Sequence, residues 1–358
     1  MAGPLELMVA DGFEQVAFGH DAATGLRCIV AVHSTVLGPG LGGTRFYPFP
    51  DEHAALVDVC RLARGMTYKH AAAGLHQGGG KAVILGDPRT DRTDELILAY
   101  GRFVHSLGGR YVTAEDVGTT QADMDLVRTV TPHVTGVSEQ LGGSGDPSPA
   151  TALGVLWAMH AVAVRVWGSP RLEGRRVCIS GVGKVGAALA DHLHAAGAQL
   201  TVSDVRPEAV AAVVERTGAD VAAPEEAHTV PCDIFSPCAL GAVLSASTIP
   251  RLACAAVVGS ANNQLATEAD AERIEAQGVL YAPDYVANAG GVINIAHEHG
   301  GYDRAAAEAQ IRGIHDTLLA VFALADQEGT TTAHAADLLA ERRIEAARQG
   351  AVQSGGSA

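Results

Sequence analysis

The chain has 358 residues, of which 47% are hydrophobic and 18% charged, which predicts a globular protein with two domains. Its net charge of −15 at pH 7 disfavours nucleic acid and anionic membrane surfaces as partners. The 42 glycines stand in short motifs without a repeat, which excludes a collagen-like chain.

The first 140 residues predict an α/β unit. Residues 25–37 alternate as in a strand and end at 38–43, a glycine-rich segment that predicts a flexible loop. Spacing predicts helices over 52–66 and 92–107 and strands over 82–85 and 110–113.

Two lysines of this unit have glycine neighbours. Lys69 ends the segment 64–69, and Lys81 follows three glycines, which leave room for a small molecule to approach closely. Two ammonium groups near one site form a receptor for a carboxylate, and a desolvated lysine beside another cation can act as a base. Asp116, after a strand, is a candidate partner in proton transfer; the alternative is a helix cap beside a solvated surface lysine.

Lys81 does not belong to a P-loop. Leu75 stands where the first glycine of that motif belongs, and Ala82 stands where Ser or Thr must bind magnesium. Kinase-type phosphate chemistry is therefore not expected.

The second half predicts a parallel sheet covered by helices on both faces. Turn-forming residues at 142–149 precede an apolar helix over 150–167, which we expect to be buried. Helices then alternate with strands predicted at 176–180, 199–204, 232–236, 255–259 and 279–282.

A dinucleotide motif follows the first of these strands. A helix follows the motif in the chain, and Asp204 lies at the end of the next strand; this is the context that a G-x-G-x-x-G pattern requires. Asp204 would accept hydrogen bonds from ribose hydroxyls and repel a 2′-phosphate, which favours NAD over NADP. The residues predicted to hold the pyrophosphate are Gly181, Gly183, Lys184, Val185 and Gly186.

Amide side chains follow the later strands. Ala261, Asn262 and Asn263 come after strand 255–259, where such sheets bind ligands, and Asn288 precedes a helix. An Asn amide here would hold a substrate amine or the carboxamide of a cofactor, or it would form an Asx-turn. On that helix, Val292 and Ile295 would present aliphatic surface to a ligand or pack in the core.

None of the six cysteines forms a Cys-x-x-Cys pair, and most lie in apolar runs. We therefore expect buried reduced thiols, a cytoplasmic protein and no metal site.

These motifs together resemble the glutamate/leucine/phenylalanine/valine family of amino-acid dehydrogenases, and most closely its branched-chain members. The segments that support the resemblance are 41–45, 64–69, 78–82, 113–118, 181–186, 259–264 and 283–294. The resemblance implies oxidative deamination of an L-amino acid to a 2-oxo acid and ammonia, with hydride transfer to NAD.

The resemblance also implies roles for individual residues. Lys69 and the backbone of Gly42 and Gly43 would hold the substrate carboxylate, Lys81 would activate water, and Asp116 would share its proton transfer. Thr151 and Asn262 would position the nicotinamide and the substrate amine. The positions that would line the side-chain pocket are Leu41, Ala114, Val292 and Ile295.

Aliphatic Val292 and Ile295 disfavour a charged substrate tail, so valine, leucine, isoleucine and 2-aminobutyrate remain open. The alternatives are a phenylalanine dehydrogenase and a catalytically silent NAD-binding sensor or assembly subunit. We expect a homo-oligomer with a substrate domain over 1–140, a Rossmann domain over 141–325, and C-terminal helices over 326–358 that return to the first domain and end in a disordered tail.

Overall fold

The structure, a computed structural model, describes residues 3–239 and 241–355. The chain divides into two compact units. Unit 1 comprises Met1–Asp146, Ile295–Arg304 and Ala340–Ala358, and unit 2 comprises Pro147–Asn294 and Ala305–Leu339.

Unit 1 begins with nine elements. In chain order they are α1 (Pro4–Asp11), β1 (Gln15–Asp21), β2 (Leu26–Ser34), β3 (Gly40–Tyr47), α2 (Glu52–Ala72), β4 (Gly78–Leu85), α3 (Asp94–Ser106), β5 (Tyr111–Glu115) and α4 (Gln121–Arg128). The strands form a five-stranded sheet in the order β1-β2-β4-β3-β5. Strands β3, β4 and β5 run parallel, whereas β2 is antiparallel to both β1 and β4.

Helices α2 and α3 cover the sheet of unit 1 with apolar faces. Helix α2 is capped by Asp51, whose side chain accepts a hydrogen bond from the Ala54 amide, and the helix residues Ala55 and Val59 pack with Val83 of β4. Helix α3 instead packs Ile97 and its neighbours against a second cluster with residues of β2 and β4. Strand β2 is consequently buried on both of its faces.

The glycines from 40 to 43 and from 78 to 80 belong to strands, which corrects the end of the loop predicted at 38–43 and the late start predicted for strand 82–85; residues 38 and 39 precede β3, and Gly38 has a φ of 143°. A Cβ on Gly42 would collide with the Gly80 carbonyl, and one on Gly79 would collide with Thr67 of α2. None of Gly40, Gly42 and Gly79 has a positive φ. These glycines are therefore required by close packing of strands and helix, and not by backbone freedom.

The second half contains the remaining elements: α5 (Ser148–Trp167), β6 (Arg176–Ser180), α6 (Lys184–Ala195), β7 (Gln199–Ser203), α7 (Pro207–Thr217), β8 (Asp220–Val221), β9 (Ile234–Pro237), β10 (Ala256–Val257), α8 (Ala269–Ala276), β11 (Leu280–Tyr281), α9 (Asp284–Ala287), α10 (Gly290–Ala296), α11 (Arg304–Arg312), α12 (Ile314–Glu328) and α13 (Thr332–Gly355). The strands of unit 2 form a parallel six-stranded sheet in the order β11-β10-β9-β6-β7-β8. This order is that of a dinucleotide-binding Rossmann fold, which confirms the predicted fold class.

Helix α5 is long and apolar enough to cross a membrane, and it is the only such helix in the described ranges. It packs against α6 and α12 within unit 2, and Val155, Met159 and Val162 are fully buried there. These contacts are those of a core helix in a globular unit.

The bounds of the two units differ from the predicted domain limits. Unit 2 starts at Pro147 rather than 141, and residues 326–339 belong to it, while the segment from Ala340 onward belongs to unit 1. There Ala340 and Ile344 pack with Ala71, and the Arg343 guanidinium donates to the Ala71 carbonyl at 2.9 Å. Of the tail predicted to be disordered, 349–355 continue α13 and 356–358 lie outside the described residues.

The close packing of β4 on α2 predicts a stability difference between two glycines. Gly79→Ala should lower the free energy of unfolding by about 2 kcal/mol, because the added methyl group forces the helix away from the strand. Gly65→Ala, in an exposed part of α2 with no atom within 4 Å of the new methyl group, should raise it by about 0.5–1 kcal/mol. Urea unfolding measures both, and equal effects would contradict this assignment.

Candidate active site

Lys81 and Asp116 form a largely buried ion pair in unit 1. Lys81 Nζ lies 3.1 Å from Asp116 Oδ2, and the two side chains are 8% and 23% exposed. Lys81 lies within β4, and Asp116 follows β5 directly. The structure therefore brings together the two residues that the sequence predicts as the catalytic pair.

The strand register explains this contact. Strand β3 lies between β4 and β5; pairing of Thr44 with Ala82 sets Gly43 beside Lys81, and Gly43 itself pairs with Ala114. A Cβ on Gly43 would lie 2.8 Å from Asp116 Cβ. The absence of a side chain at Gly43 thus leaves the space through which Lys81 and Asp116 meet across the middle strand.

A second cation contacts Asp116. Arg45 Nε donates to Asp116 Oδ2 at 3.2 Å, and Arg45 Nη1 donates to Asp58 Oδ2 at 2.7 Å. Burial by itself raises the pKa of the Asp116 carboxyl, but the charges of Lys81 and Arg45 outweigh it and hold the pKa below its usual value. Asp116 is therefore ionised at neutral pH. No role for Arg45 was predicted from the sequence, although its position two residues after Gly43 puts both on one face of β3.

Lys69 lies near the end of α2 and is partly buried. The next residue, His70, is fully buried and hydrogen-bonds through Nδ1 to the Gly78 carbonyl at 2.7 Å. Burial lowers the pKa of His70 to about 4, so its ring is neutral. The turn of α2 that includes Lys69 is thus fixed against the strand that leads to Lys81.

A hydroxyl network supports the glycines of β3 from the face of the sheet opposite Lys81. Tyr111 donates to the Gly42 carbonyl at 2.6 Å, and Thr44 Oγ1 hydrogen-bonds Thr113 Oγ1 at 2.6 Å and the Tyr100 hydroxyl. All of these side chains are buried. The network fixes the Gly42 backbone, a feature that the sequence analysis missed because the partners are scattered along the chain.

A cavity of about 670 Å³ in unit 1 includes two of the residues predicted to line the side-chain pocket, Leu41 and Ile295. Val112 pairs with Leu41 in the neighbouring strand and lines the cavity as well. Ala114 lies two residues further along the same face of β5 and is buried. Val292 is also buried but belongs to unit 2.

Glu298 fixes one wall of this cavity, although no role was predicted for it from the sequence. Its Oε2 accepts hydrogen bonds from Thr135 Oγ1 and the Gly136 amide, both at 2.9 Å. Its Oε1 accepts from the amide and the hydroxyl of Ser144, at 2.8 and 2.6 Å. Four donors on one carboxylate hold the segments around 135 and 144 in place.

In unit 2, the glycine motif forms the turn between β6 and α6. Gly181 has a φ of +102°, and a Cβ there would lie 2.6 Å from the Cβ of Ala239, so only glycine fits. A Cβ on Gly186 would collide with the Gly181 carbonyl, so the close packing of helix and strand requires glycine at this position. A Cβ on Gly183 would meet only Nη2 of Arg206, at 3.6 Å, so there is room for a phosphate at the start of α6. Lys184 and Val185 form the first turn of that helix.

Asp204 follows β7 and has protein partners on both oxygens. Its Oδ2 accepts from the Val182 amide at 2.9 Å, and its Oδ1 accepts from the amide and Nε of Arg206, at 2.9 and 3.2 Å. Burial raises the pKa of Asp204, but these hydrogen bonds outweigh it and keep the pKa below its usual value. The predicted ribose ligand is thus a carboxylate that also connects the glycine turn to Arg206.

The predicted amide residues meet beside the end of β10. Asn288 Nδ2 donates to the Ser260 carbonyl at 3.1 Å and to Asn262 Oδ1 at 2.8 Å, and the Ala261 amide donates to the Pro237 carbonyl at 3.0 Å. Asn263 has a φ of +51°, as in a tight turn.

Thr151, near the start of α5, packs against Gly291, where a Cβ would collide with the threonine hydroxyl. Asn262, Asn288 and Thr151 therefore line one region of unit 2 at the carboxyl ends of its strands.

These observations define the class of protein: a two-unit α/β enzyme with a Rossmann nucleotide-binding unit and a second unit that contains a buried lysine–aspartate pair. A family model for the Glu/Leu/Phe/Val dehydrogenase dimerisation domain matches residues 14–133. A model for glutamate/leucine/phenylalanine/valine dehydrogenase matches residues 142–223 and 205–349. The chain belongs to this family of amino-acid dehydrogenases, which confirms the resemblance found in the sequence.

Similar proteins cover nearly the whole chain. A leucine dehydrogenase of Geobacillus stearothermophilus is 51% identical over 94% of this chain and 92% of its own length. A valine dehydrogenase of Streptomyces albus is also 51% identical, over 94% of this chain and 93% of its own length. The solved structure of an L-tryptophan dehydrogenase from Nostoc punctiforme is 44% identical, with a TM-score of 0.86 over 96% of this chain and 99% of that one.

Proposed function

We propose that this enzyme catalyses the reversible NAD-dependent oxidative deamination of an aliphatic branched-chain L-amino acid (valine, leucine or isoleucine) to the 2-oxo acid, ammonia and NADH. The observation that supports this most directly is the buried pair of Lys81 and Asp116 in a chain about half identical to leucine and valine dehydrogenases. The pair supplies a base and its partner in a site with little water.

The residues of unit 1 suggest how the reaction proceeds. Lys69 and the Gly42–Gly43 backbone would hold the carboxylate of the substrate. A bound NAD would supply the hydride acceptor for the substrate Cα, whose oxidation would convert the substrate amine to an iminium group. Lys81, in its neutral form, would then take a proton from the water that attacks the iminium carbon, and Asp116 would exchange protons with Lys81 and the leaving ammonia.

The proposed contributions of unit 2 concern the cofactor. The turn from Gly181 to Gly186 would bind the pyrophosphate, since the start of α6 offers backbone amides and space above Gly183. Asn288, Asn263 and Ala261 would contact the nicotinamide half, with Thr151 and Asn262 positioning the ring and the substrate amine.

An aliphatic part of the cavity lining supports an apolar substrate side chain. It consists of Leu41, Val112 and Ile295, against which a charged tail would lose hydration without gaining a partner, whereas Arg128, His133 and Glu298 line other parts of the cavity. Apolar tails that differ by one methylene are separated by only about 1–3 kcal/mol, so several branched-chain substrates should be accepted.

A phenylalanine dehydrogenase is the second candidate. The volume of about 670 Å³ exceeds what an isobutyl group fills, and a similar solved structure is that of a tryptophan dehydrogenase. The β-branched residues Val112 and Ile295 on the walls oppose it, because they should crowd a planar ring.

Initial rates of NADH formation test these alternatives. We expect valine, leucine and isoleucine to give kcat/KM values at least about tenfold above that of phenylalanine, and glutamate to give no detectable rate. A higher kcat/KM for phenylalanine would select the second candidate. Binding of NAD without NADH formation from any amino acid would identify a catalytically silent sensor or assembly subunit.

Replacement of the proposed base tests the mechanism. Lys81→Ala should lower kcat by about 10²–10⁴-fold, the usual contribution of general acid–base catalysis, because no other group would accept the proton of the attacking water. Its affinity for NAD, measured by quenching of protein fluorescence, should stay within about twofold of the wild type, since the proposed nucleotide ligands belong to unit 2. Near-wild-type kcat in a folded variant would refute the role of Lys81.

The partners of Asp204 predict the effect of its removal on cofactor preference. Asp204→Ala should lower the ratio of kcat/KM for NAD over NADP by about tenfold, equivalent to about 1.4 kcal/mol, because it removes the charge that repels a 2′-phosphate and releases Arg206. Asp191→Ala is a matched control, since it breaks an exposed ion pair with Arg216 in the same unit and should leave the ratio unchanged. An unchanged ratio in Asp204→Ala would argue against a ribose contact.

We also propose a homo-oligomer in the cytoplasm. The match of residues 14–133 to a dimerisation domain supports assembly, and β1, at the edge of its sheet, exposes Phe18. All six cysteines are free, and burial raises the pKa of the Cys28 and Cys178 thiols to about 12, as expected for unreactive thiols in a reducing compartment.

A further inference from the structure

We propose that Arg45 is a positioning residue for the Lys81–Asp116 pair and that Asp58 anchors it. This inference rests on the proposed function of that pair. The geometry points to it because Arg45 contacts the same carboxylate oxygen as the lysine and is held at its other end by a second carboxylate.

The contacts form a chain of alternating charges. Asp116 Oδ2 receives both Lys81 Nζ, at 3.1 Å, and Arg45 Nε, at 3.2 Å. Arg45 Nη1 reaches Asp58 Oδ2 at 2.7 Å, and Asp58 Oδ1 receives Arg61 Nη2 at 3.0 Å. Different nitrogens of one planar guanidinium thus bind two carboxylates, which fixes its orientation more firmly than a single contact would.

Only the outer end of the chain is exposed to solvent. Arg61 is 54% exposed, whereas Asp58 is 18%, Arg45 and Asp116 are each 23%, and Lys81 is 8% exposed. Its outer pair contributes little, because exposed ion pairs are screened by solvent. Its inner contacts are mostly buried, so loss of one partner leaves a charge that is unpaired and poorly solvated.

The proton transfer itself supplies the reason for a second cation. When Lys81 becomes neutral, its ionic attraction for Asp116 is lost. Arg45 cannot lose its proton at any working pH, so it remains the cation at Oδ2 and keeps Asp116 ionised and in place. Asp58 holds the other end of the Arg45 guanidinium, so that Arg45 stays in place when Asp116 or Lys81 moves. Lys81 can therefore change its charge without reorganising the site.

The same chain connects the sheet to helix α2. Asp58 and Arg61 both belong to α2, the helix that also includes Lys69. Arg45 belongs to β3, beside the strand of Lys81. The orientation of Asp116 is thereby fixed relative to the helix on which the proposed carboxylate ligand lies.

The sign of the pH effect follows from the charges that face Asp116. These are Lys81 from β4, Arg45 from β3 and the Asp58–Arg61 pair from α2, with the neutral hydroxyl of Tyr111 in β5 also within electrostatic range. Removal of one positive charge makes every nearby acid and base retain its proton to a higher pH. The acid limb of the kcat/KM profile therefore moves to higher pH, whichever group of the coupled pair sets it.

Two substitutions test this inference through the pH dependence of kcat/KM with the best amino acid of the wild type. Arg45→Gln removes the charge and should move the acid limb up by about one pH unit while lowering kcat by about tenfold. Arg45→Lys keeps the charge but its single ammonium cannot bridge two carboxylates. It should keep the wild-type limb and still lose about tenfold in kcat.

Arg92→Gln is the matched control. Arg92 donates to the buried Asp123 from Nε at 2.9 Å and Nη2 at 2.7 Å, another arginine–carboxylate pair of unit 1 that does not contact Lys81 or Asp116. We expect it to lower the unfolding temperature and to leave unchanged both kcat and the pH of the acid limb of the kcat/KM profile, which is the behaviour of a purely structural pair.

An Arg45→Gln enzyme whose kcat and acid limb of the kcat/KM profile equal those of the wild type would overturn the inference. If that variant does not fold, wild-type kcat in Arg45→Lys would overturn it instead. Failure of the proposed function is separate and is detected first, since a wild-type enzyme that forms no NADH from any amino acid would end the proposed function before any variant is compared.

Discussion

The arrangement of unit 1 depends on one constraint: an ammonium group and a carboxylate must meet across the middle strand of a buried sheet. Lys81 and Asp116 belong to elements on either side of β3, and their contact needs a strand without side chains between them. Gly43 meets that need directly. The cost of burying both charges is offset by their mutual contact and by Arg45.

The same constraint explains the glycines around the pair. Gly79 lets α2 approach β4, so that the turn with Lys69 lies over the strand with Lys81. Gly42 lets β3 approach β4, and its carbonyl is held by Tyr111 from below the sheet. A conformational explanation based on positive φ does not apply to these residues, whereas it does apply to Gly181 in the nucleotide-binding turn. Two glycine-rich segments of one chain thus serve two different physical purposes.

The parts of the site that were predictable from sequence lie in contiguous motifs. The nucleotide-binding turn occurs as one run between a strand and a helix, and five of the six strands of the sheet in unit 2 were found because buried parallel strands are short apolar runs. The exposed two-residue strand β8 was not predicted. The residues that hold Asp116 in place were harder to foresee. Arg45 and Asp58 are separated from Asp116 by 71 and 58 positions, respectively, and only the sheet order and the packing of α2 bring them together. Glu298 was missed for the same reason, since its donors lie more than 150 residues away.

The sequence by itself determined the family, the α/β class of both units, the nucleotide-binding turn and the identity of the lysine and aspartate candidates, because each depends on local patterns or short motifs. Only the tertiary structure decided that the glycine segments are strands, that Asp116 is shared by two cations, and that Asp204 is bound to Arg206 and the Val182 amide. The physical reason is that these features arise from contacts between elements distant in sequence. Hydrogen-bond register and close packing, which no local pattern encodes, determine which atoms meet.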